Sequence, residues 1–378
     1  MKRFLIVANS PFTVVNFRKE LILELLALGH EVHVICPSSC NLVEDSNYLS
    51  YLKSKGVLFH NIVLGRSSLN PFSELLLFLS IYRLISAISP DAVLNYTIKP
   101  TIYASIAAGW LGIEHVYSNI TGLGFIFTGT TFKAKILSVL VRFQYKIALK
   151  YNKKIFFQNT DDLSIFEKYK LLQRSKTVLI NGSGVNTVKF SSSKEYVEGP
   201  IKFLFVGRLL RDKGIFEFIE AAKSISEMYP KEAVFYIAGP YDSNPASIKS
   251  SDMDEYIKSG LINYLGNVSD ILEAYEESDV FVLPSYREGT PRSTLEAMSM
   301  SMPIITTDAP GCRETVVDGL NGFLVEKGNY FALGNAMIKF IENRELITSM
   351  GVESRTLAVA KYDVNKVNGV ILDVIGQF

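Results

Sequence analysis

At 378 residues the chain is long enough for two or three domains of ordinary size. Its apolar content of 48% against 20% charged, with 24 Phe and 19 Tyr, fills real cores and excludes a mostly disordered chain. A net charge of +1 excludes wholesale binding of nucleic acid, yet residues 1–190 carry 21 Lys and Arg against 11 Asp and Glu, and the remainder 18 against 27. One half suits an anionic surface and the other does not. Three cysteines (Cys36, Cys40, Cys312) are too few and too scattered for a disulfide framework and point to a reducing compartment. His30 and His33 near the first two leave a metal chelate open, with incidental thiols the expectation.

The apolar run at 4–8 follows Lys2-Arg3 and is too short for a secretory signal. It reads as a buried strand. Residues 16–28 read as a helix ended by Gly29, and 31–36 as the next strand. The greasy stretch 75–88 contains Arg83 and is shorter than the ~20 residues of a membrane span. Strands at 92–95, 115–118, 155–158 and 178–180, with a small-residue helix at 103–110, complete a parallel βαβ series. After Phe190 the polar run Ser191-Ser192-Ser193-Lys194-Glu195 reads as a linker. A second series follows, with strands at 202–206, 234–238, 261–264, 280–283, 303–306 and 322–325. Helices fit at 215–228, 271–277, 293–300 and 312–317, and the chain is helical from Tyr330 onward. The expected architecture is α/β: two Rossmann-like doubly wound parallel-sheet domains, 1–190 and 191–378, facing across a cleft.

Two segments carry chemistry. Gly207-Arg208-Leu209-Leu210-Arg211-Asp212-Lys213-Gly214 follows a strand and opens a helix. Gly207 permits close backbone approach, and Arg208 and Lys213 place two cations beside a helix start, where a diphosphate is stabilised. A solvated turn with ordinary cations has the same composition. Glu288-Gly289-Thr290-Pro291-Arg292-Ser293-Thr294-Leu295-Glu296 sets two carboxylates around another helix start. The N–H groups of Arg292 and Ser293 suit phosphate oxygens, Glu296 suits ribose hydroxyls, and Glu288 would face a transferring group. A surface helix capped by Thr290 or Ser293 is the plainer reading. Asp252-Met253-Asp254 matches a DxD metal motif, but its polar setting before a helix reads as a cap. No G-x-G-x-x-G, G-x-x-x-x-G-K-[ST] or H-E-x-x-H occurs, which disfavours dehydrogenases, P-loop enzymes and zinc hydrolases.

The joint occurrence of these two segments resembles the family-4 retaining glycosyltransferases of GT-B fold. So do Leu283-Pro284-Ser285, Gly311-Cys312-Arg313-Glu314, Asp318 to Val325 and Gly184-Val185-Asn186 with Phe190. Arg66-Ser67-Ser68-Leu69-Asn70-Pro71 and Ile120-Thr121-Gly122-Leu123-Gly124 are most similar to the CapM/PglA-like subgroup, which extends polyprenyl-diphosphate-linked sugars. The resemblance implies that a UDP-sugar is the donor. Arg208 and Lys213 would neutralise its diphosphate, Glu296 meet the ribose and Glu288 the donor hexose. No metal or other cofactor is expected. It also implies a carboxyl-terminal tail, about 362–378, packing on the amino-terminal acceptor domain. Because the expected cleft crosses a linker, closure of the domains over the donor is expected. Two departures stand out: the loop at 9–16 has no glycine, and Thr121 stands where many members have a His. Lys99, Asn119 and Thr121 by position, and Asn16 and Arg18 by subgroup resemblance, are the amino-domain candidates. Lys99 reads equally well as a solvated cap.

Residues 132–154 carry seven Lys and Arg and no acid, with apolar positions 136, 140, 143 and 147 at helical spacing. Such a segment suits an anionic membrane surface, so a peripheral place on the inner face of the cell membrane is expected. A domain helix whose stripe faces the sheet is the alternative. The leading function is retaining transfer of a hexosyl or N-acetylhexosaminyl group to a lipid-diphosphate glycan. A GT-B-type UDP-sugar epimerase and a non-catalytic nucleotide-sugar binder of an assembly complex are the rivals.

Overall fold

The computed structural model describes the chain except residues 39–44, 66–69, 124–126, 128–131, 193–197, 243–246, 269 and 377–378, and the side chains of 132–134. Cys40, Arg66 to Leu69, Gly124 and Ser193 to Glu195 therefore lie outside the described residues. Two compact units result, Met1–Ser183 with Val367–Phe378, and Gly184–Lys366.

Unit 1 is built on seven strands: β1 (Arg3–Val7), β2 (Glu31–Cys36), β3 (Leu58–Asn61), β4 (Ala92–Tyr96), β5 (Val116–Ile120), β6 (Lys154–Phe157) and β7 (Thr177–Leu179). Their order is 3-2-1-4-5-6-7 with parallel pairing, so direction of winding reverses between β1 and β4. The central strands β4 and β5 are buried along their whole length, as helices on both sheet faces require, and bury Asn95, Ser118 and Asn119 among their apolar residues. Helices α1 (Pro11–Ala27) and α2 (Asp45–Ser54) cover one face. On the other lie α3 (Pro71–Ile88), α4 (Ile98–Trp110), α5 (Phe132–Ala148) and α6 (Thr160–Lys168). Helix α1 begins earlier than the apolar spacing suggests because Ser10 caps it, accepting from the Thr13 N–H at 3.3 Å, and Pro11 occupies the first turn. α2 and β3 escaped the sequence pattern: α2 buries only Asp45 and Leu52, and β3 is a short, half-exposed edge strand.

Unit 2 repeats the winding on six strands: β8 (Ile201–Val206), β9 (Ala233–Ala238), β10 (Asn263–Gly266), β11 (Val280–Leu283), β12 (Ile304–Thr307) and β13 (Gly322–Val325), in the order 10-9-8-11-12-13. Its helices are α7 (Ile215–Met228), α8 (Ser250–Lys258), α9 (Leu272–Glu276), α10 (Arg292–Ser299), α11 (Tyr330–Glu342) and α12 (Glu345–Leu357). The helix expected at 312–317 is a single 3-10 turn, Arg313–Thr315. It cannot extend, because Val316 is extended and the Asn321 Oδ1 holds the Val317 N–H at 2.7 Å.

The boundary between units falls at 183/184, ahead of the polar run that marked it in the sequence. Residues 184–190 are tied into unit 2. Val185 bridges to Asp363, its N–H reaching the Tyr362 carbonyl at 2.8 Å, and Arg355 donates to the carbonyls of Thr187 and Phe190. The last helix, α13 (Val364–Ile375), places Val367, Ile371 and Ile375 in the core of unit 1 beside Phe4, Ile6 and Tyr117. At ~1.5–3 kcal/mol for each of these three buried aliphatic side chains, deleting 367–378 is expected to cost unit 1 about 4.5–9 kcal/mol. Differential scanning calorimetry should then show one transition lowered or lost and the other unmoved.

Candidate functional site

The two motif-bearing loops follow β8 and β11, neighbours in the sheet of unit 2 at the point where its winding reverses. Ligands of doubly wound sheets bind at such a point, beyond the carboxyl ends of the strands. The loops are locked together. Gly214 has φ +75° and a Cβ there would lie 2.2 Å from the Pro284 carbonyl oxygen, so only glycine fits. The Asp212 carbonyl accepts from the Tyr286 N–H at 2.8 Å and from the Ser285 hydroxyl at 3.2 Å. Gly207 is different. Its φ is not left-handed, and a Cβ would meet nothing closer than the Phe205 ring at 3.6 Å, so packing alone does not demand glycine there.

This lock brings Lys213 and Glu288 into a direct ion pair, both side chains largely shielded. Glu288 is fixed from behind: its N–H donates to the Pro310 carbonyl at 2.9 Å, and Gly311 packs against its own carbonyl. Gly289 and Thr290 carry the chain to α10, the Thr290 hydroxyl donating to the Gly289 carbonyl at 3.0 Å. Helix α10 starts at Arg292, and Pro291 at its N-cap makes no side-chain cap. Neither Thr290 nor Ser293 therefore serves as the cap their types suggest. The first-turn N–H groups of a helix lack intrahelical acceptors and favour an anion.

Glu296 sits one turn into α10. Its Oε1 accepts from Arg292 Nε at 3.0 Å and its Oε2 from the Tyr275 hydroxyl at 3.1 Å, which also lies 3.1 Å from the Ser293 carbonyl oxygen. Burial raises the Glu296 pKa; Arg292 and Tyr275 oppose that shift. Arg208 is half-exposed and pairs with Asp242 at 2.8 Å, on the loop after β9. Lys213, Glu288, Arg292, Ser293 and Glu296 are thus gathered around the β11–α10 loop, while Arg208 is turned to Asp242. Asp242 and Tyr275 were not foreseen. Tyr275 is one aromatic in a five-residue helix, with no signal in the sequence.

Cys312 lies beneath this loop, and burial, with Glu288 nearby, pushes its thiol up to about 12, so it is no nucleophile at neutral pH. Asp252 accepts from the Lys249 N–H at 3.1 Å at the start of α8, the capping role expected of it. Among the described residues no three His, Cys, Asp or Glu are grouped to hold a metal. Cys36 is buried on β2, and His33 engages Glu31 and His60 rather than a thiol.

In unit 1 the candidates divide. Arg18 of α1 is buried and lies over the Tyr96 ring at 4.0 Å, and Asn16 donates to the Phe12 carbonyl at 3.0 Å. Asn119 of β5 is buried beside Tyr96 in register, with no hydrogen-bond partner for its Oδ1 among the described residues. Thr121 follows directly on β5 and is half-buried. Lys99 is no solvated cap: in the first turn of α4 it pairs with Glu74 at 2.6 Å and donates to the Gly65 carbonyl at 2.6 Å.

Residues 4–159 match the family described as Glycosyl transferase 4-like, and residues 188–356 the family described as Glycosyl transferases group 1. The chain belongs to the family-4 glycosyltransferases. Within this family it is 28% identical, over 95% of its length and 94% of the relative's, to the Campylobacter jejuni N,N'-diacetylbacillosaminyl-diphospho-undecaprenol alpha-1,3-N-acetylgalactosaminyltransferase. It is 28% identical, over 79% of each chain, to an Escherichia coli UDP-Gal:alpha-D-GlcNAc-diphosphoundecaprenol alpha-1,3-galactosyltransferase. Anabaena HepE, solved with UDP and glucose, shares the fold with a TM-score of 0.76, 16% identity and full coverage of both chains. This family-4 glycosyltransferase is therefore an enzyme of GT-B fold.

Replacing Arg292 by Leu would leave the buried Glu296 carboxylate without its hydrogen-bonded cation, with only the more weakly acting Lys189 remaining, a loss of roughly 3 kcal/mol while it is charged. Its folded pKa is already raised, so protonation relieves the penalty as pH falls through that raised value. Thermal melts should show Arg292→Leu losing more stability at pH 8 than at pH 5.

Proposed function

We propose that the enzyme transfers an N-acetylhexosamine such as GalNAc, or a hexose, from a UDP-sugar to a polyprenyl-diphosphate-linked sugar, with retention at the anomeric carbon, in bacterial surface polysaccharide or glycan synthesis. The observation that carries the donor half is the shielded Lys213–Glu288 pair beside the uncapped start of α10 at the β8/β11 switch point. A diphosphate entering there exchanges for the Glu288 carboxylate on Lys213 and takes the first-turn N–H groups of Arg292 and Ser293. Glu288, released, accepts from hydroxyls of the donor sugar. Glu296 accepts from the ribose. Negative charge grows on the departing UDP oxygen in the transition state, where fixed cations and helix amides stabilise it most. Arg208 joins by leaving Asp242. With this positive charge supplied by the chain, the reaction is read as metal-independent. The acceptor half rests on the relatives, two of which are named for undecaprenyl-diphosphate-linked sugars.

The test is transfer from a panel of UDP-sugars to a sugar-diphospho-polyprenol, followed by mass spectrometry. Product should form in EDTA, and Glu288→Ala and Lys213→Ala should each lose roughly 100- to 1,000-fold in kcat. Full activity in both variants, or a new sugar isomer from donor alone, would overturn the assignment.

The same reading has the enzyme meet an anionic membrane through α5 and α3, each of which packs against α4. Helix α5 buries Val141, Tyr145 and Ala148 yet leaves Ile136 at 57%, Phe143 at 61% and Val139 at 59% exposed, among Lys135 and Lys146. The apolar stripe read from the sequence thus faces away from the sheet. Helix α3, 18 residues and apolar enough to span a bilayer by length and composition alone, seats Leu77, Ile81 and Ile85 in the core and exposes Phe72, Leu75 and Leu76. Each basic side chain at an anionic surface is worth about 1 kcal/mol. Lys135→Glu with Lys146→Glu should cut co-sedimentation with phosphatidylglycerol vesicles by at least tenfold, leaving neutral vesicles unaffected.

A further inference from the structure

Glu296 makes an unusual demand. A carboxylate that is to receive two neighbouring hydroxyls must be charged, immobile and have one lone pair available on each oxygen. Its burial works against the charge. Arg292 Nε on Oε1 at 3.0 Å and the Tyr275 hydroxyl near Oε2 at 3.1 Å occupy one acceptor position on each oxygen. An ionised carboxylate offers about four such positions, so one remains on each oxygen, the pattern a vicinal diol fills.

We propose that Tyr275 is a positioning residue for nucleotide recognition: its hydroxyl fixes the Glu296 carboxylate so that both remaining lone pairs face the cis-diol of a ribonucleotide. The proposal rests on the donor reading given above. The ring of Tyr275 is 1% exposed and held edge-on by Phe190, with their centroids 6.2 Å apart, and tilted against Phe281, also at 6.2 Å. Those contacts leave the side chain no freedom to follow a wandering carboxylate. Instead the hydroxyl lies between Glu296 and the Ser293 carbonyl, 3.1 Å from each, so it gauges the position of the α10 first turn and of the carboxylate together. Aromatic packing alone would be met by phenylalanine. The hydroxyl adds one interaction, with a group that burial would otherwise neutralise, and removing it loosens Glu296 without opening a cavity.

The test compares binding of UDP and 2′-deoxy-UDP to the full chain by calorimetry. The unaltered enzyme should prefer UDP. Tyr275→Phe should weaken UDP roughly tenfold, weaken 2′-deoxy-UDP by less than twofold, and raise the donor KM with kcat held within about twofold. In a Glu296→Gln background the same Tyr275→Phe change should have no further effect on the UDP to 2′-deoxy-UDP ratio, because Tyr275 acts through Glu296. A lowered melting temperature with an unchanged ratio in Tyr275→Phe would overturn the positioning role and leave the donor reading standing. Failure of the unaltered chain to bind UDP at all would overturn the donor reading, and this proposal with it.

Discussion

Everything at the site depends on how closely the loops after β8 and β11 approach. The Gly214 α-carbon sits against the Pro284 carbonyl where no Cβ fits, and the Asp212 carbonyl ties down Tyr286 and Ser285. That contact sets a cation from one loop against a carboxylate from the other, although Lys213 and Glu288 are 75 residues apart in the chain. Without it the two motifs would be separate surface turns, which is how each reads when taken singly. The ion pair is a consequence of backbone packing, not its cause, since a pair this shielded gains little net stability from its own attraction.

Strand positions were legible because parallel strands buried on both faces are mostly apolar, and 4–7, 280–283 and 322–325 announce themselves as such runs. Helix 215–228 was equally plain, with Gly214 before it and a strong apolar stripe. What failed were elements with little to bury, such as α2 and β3, and ends set by a cap rather than by periodicity, as with Ser10 and α1. The two loops of the site were legible as chemistry. Their internal pairing was not: Arg208 with Asp242 and Glu296 with Tyr275 join residues whose neighbourhood only the sheet order creates. Lys99 went the same way, because Glu74, its partner, lies on another helix with no marker in the sequence.

Helix α5 shows why hydrophobic period alone misleads. Its residues 136, 140 and 143 repeat at helical spacing and look like a core face, yet the core is made by Val141 and Tyr145 on another side. A helix apolar on two sides has spent one on the fold and left the other for a second environment. In unit 1 that second side carries cations, which water and anionic headgroups both accept, and this is what separates it from a misfolded patch.

Charge is distributed against the chemistry of the donor. Unit 2 holds 19 Lys and Arg against 26 Asp and Glu, while unit 1 holds 20 against 12, so the unit proposed to bind a diphosphate is the acidic one. Screening resolves the paradox, since at physiological ionic strength charges beyond ~8 Å are largely silent and only the immediate shell counts. In that shell Lys213, Arg208 and Arg292 each have a carboxylate partner, so the shell is close to neutral. On the proposed donor reading, a diphosphate competes with Glu288 and Asp242 for cations already in place. Its two charges replace two tethered ones, and the displaced carboxylates become acceptors for sugar hydroxyls. On that reading, pairing each cation with an acid makes the site selective for a ligand that is at once anionic and rich in hydroxyls, which inorganic phosphate is not.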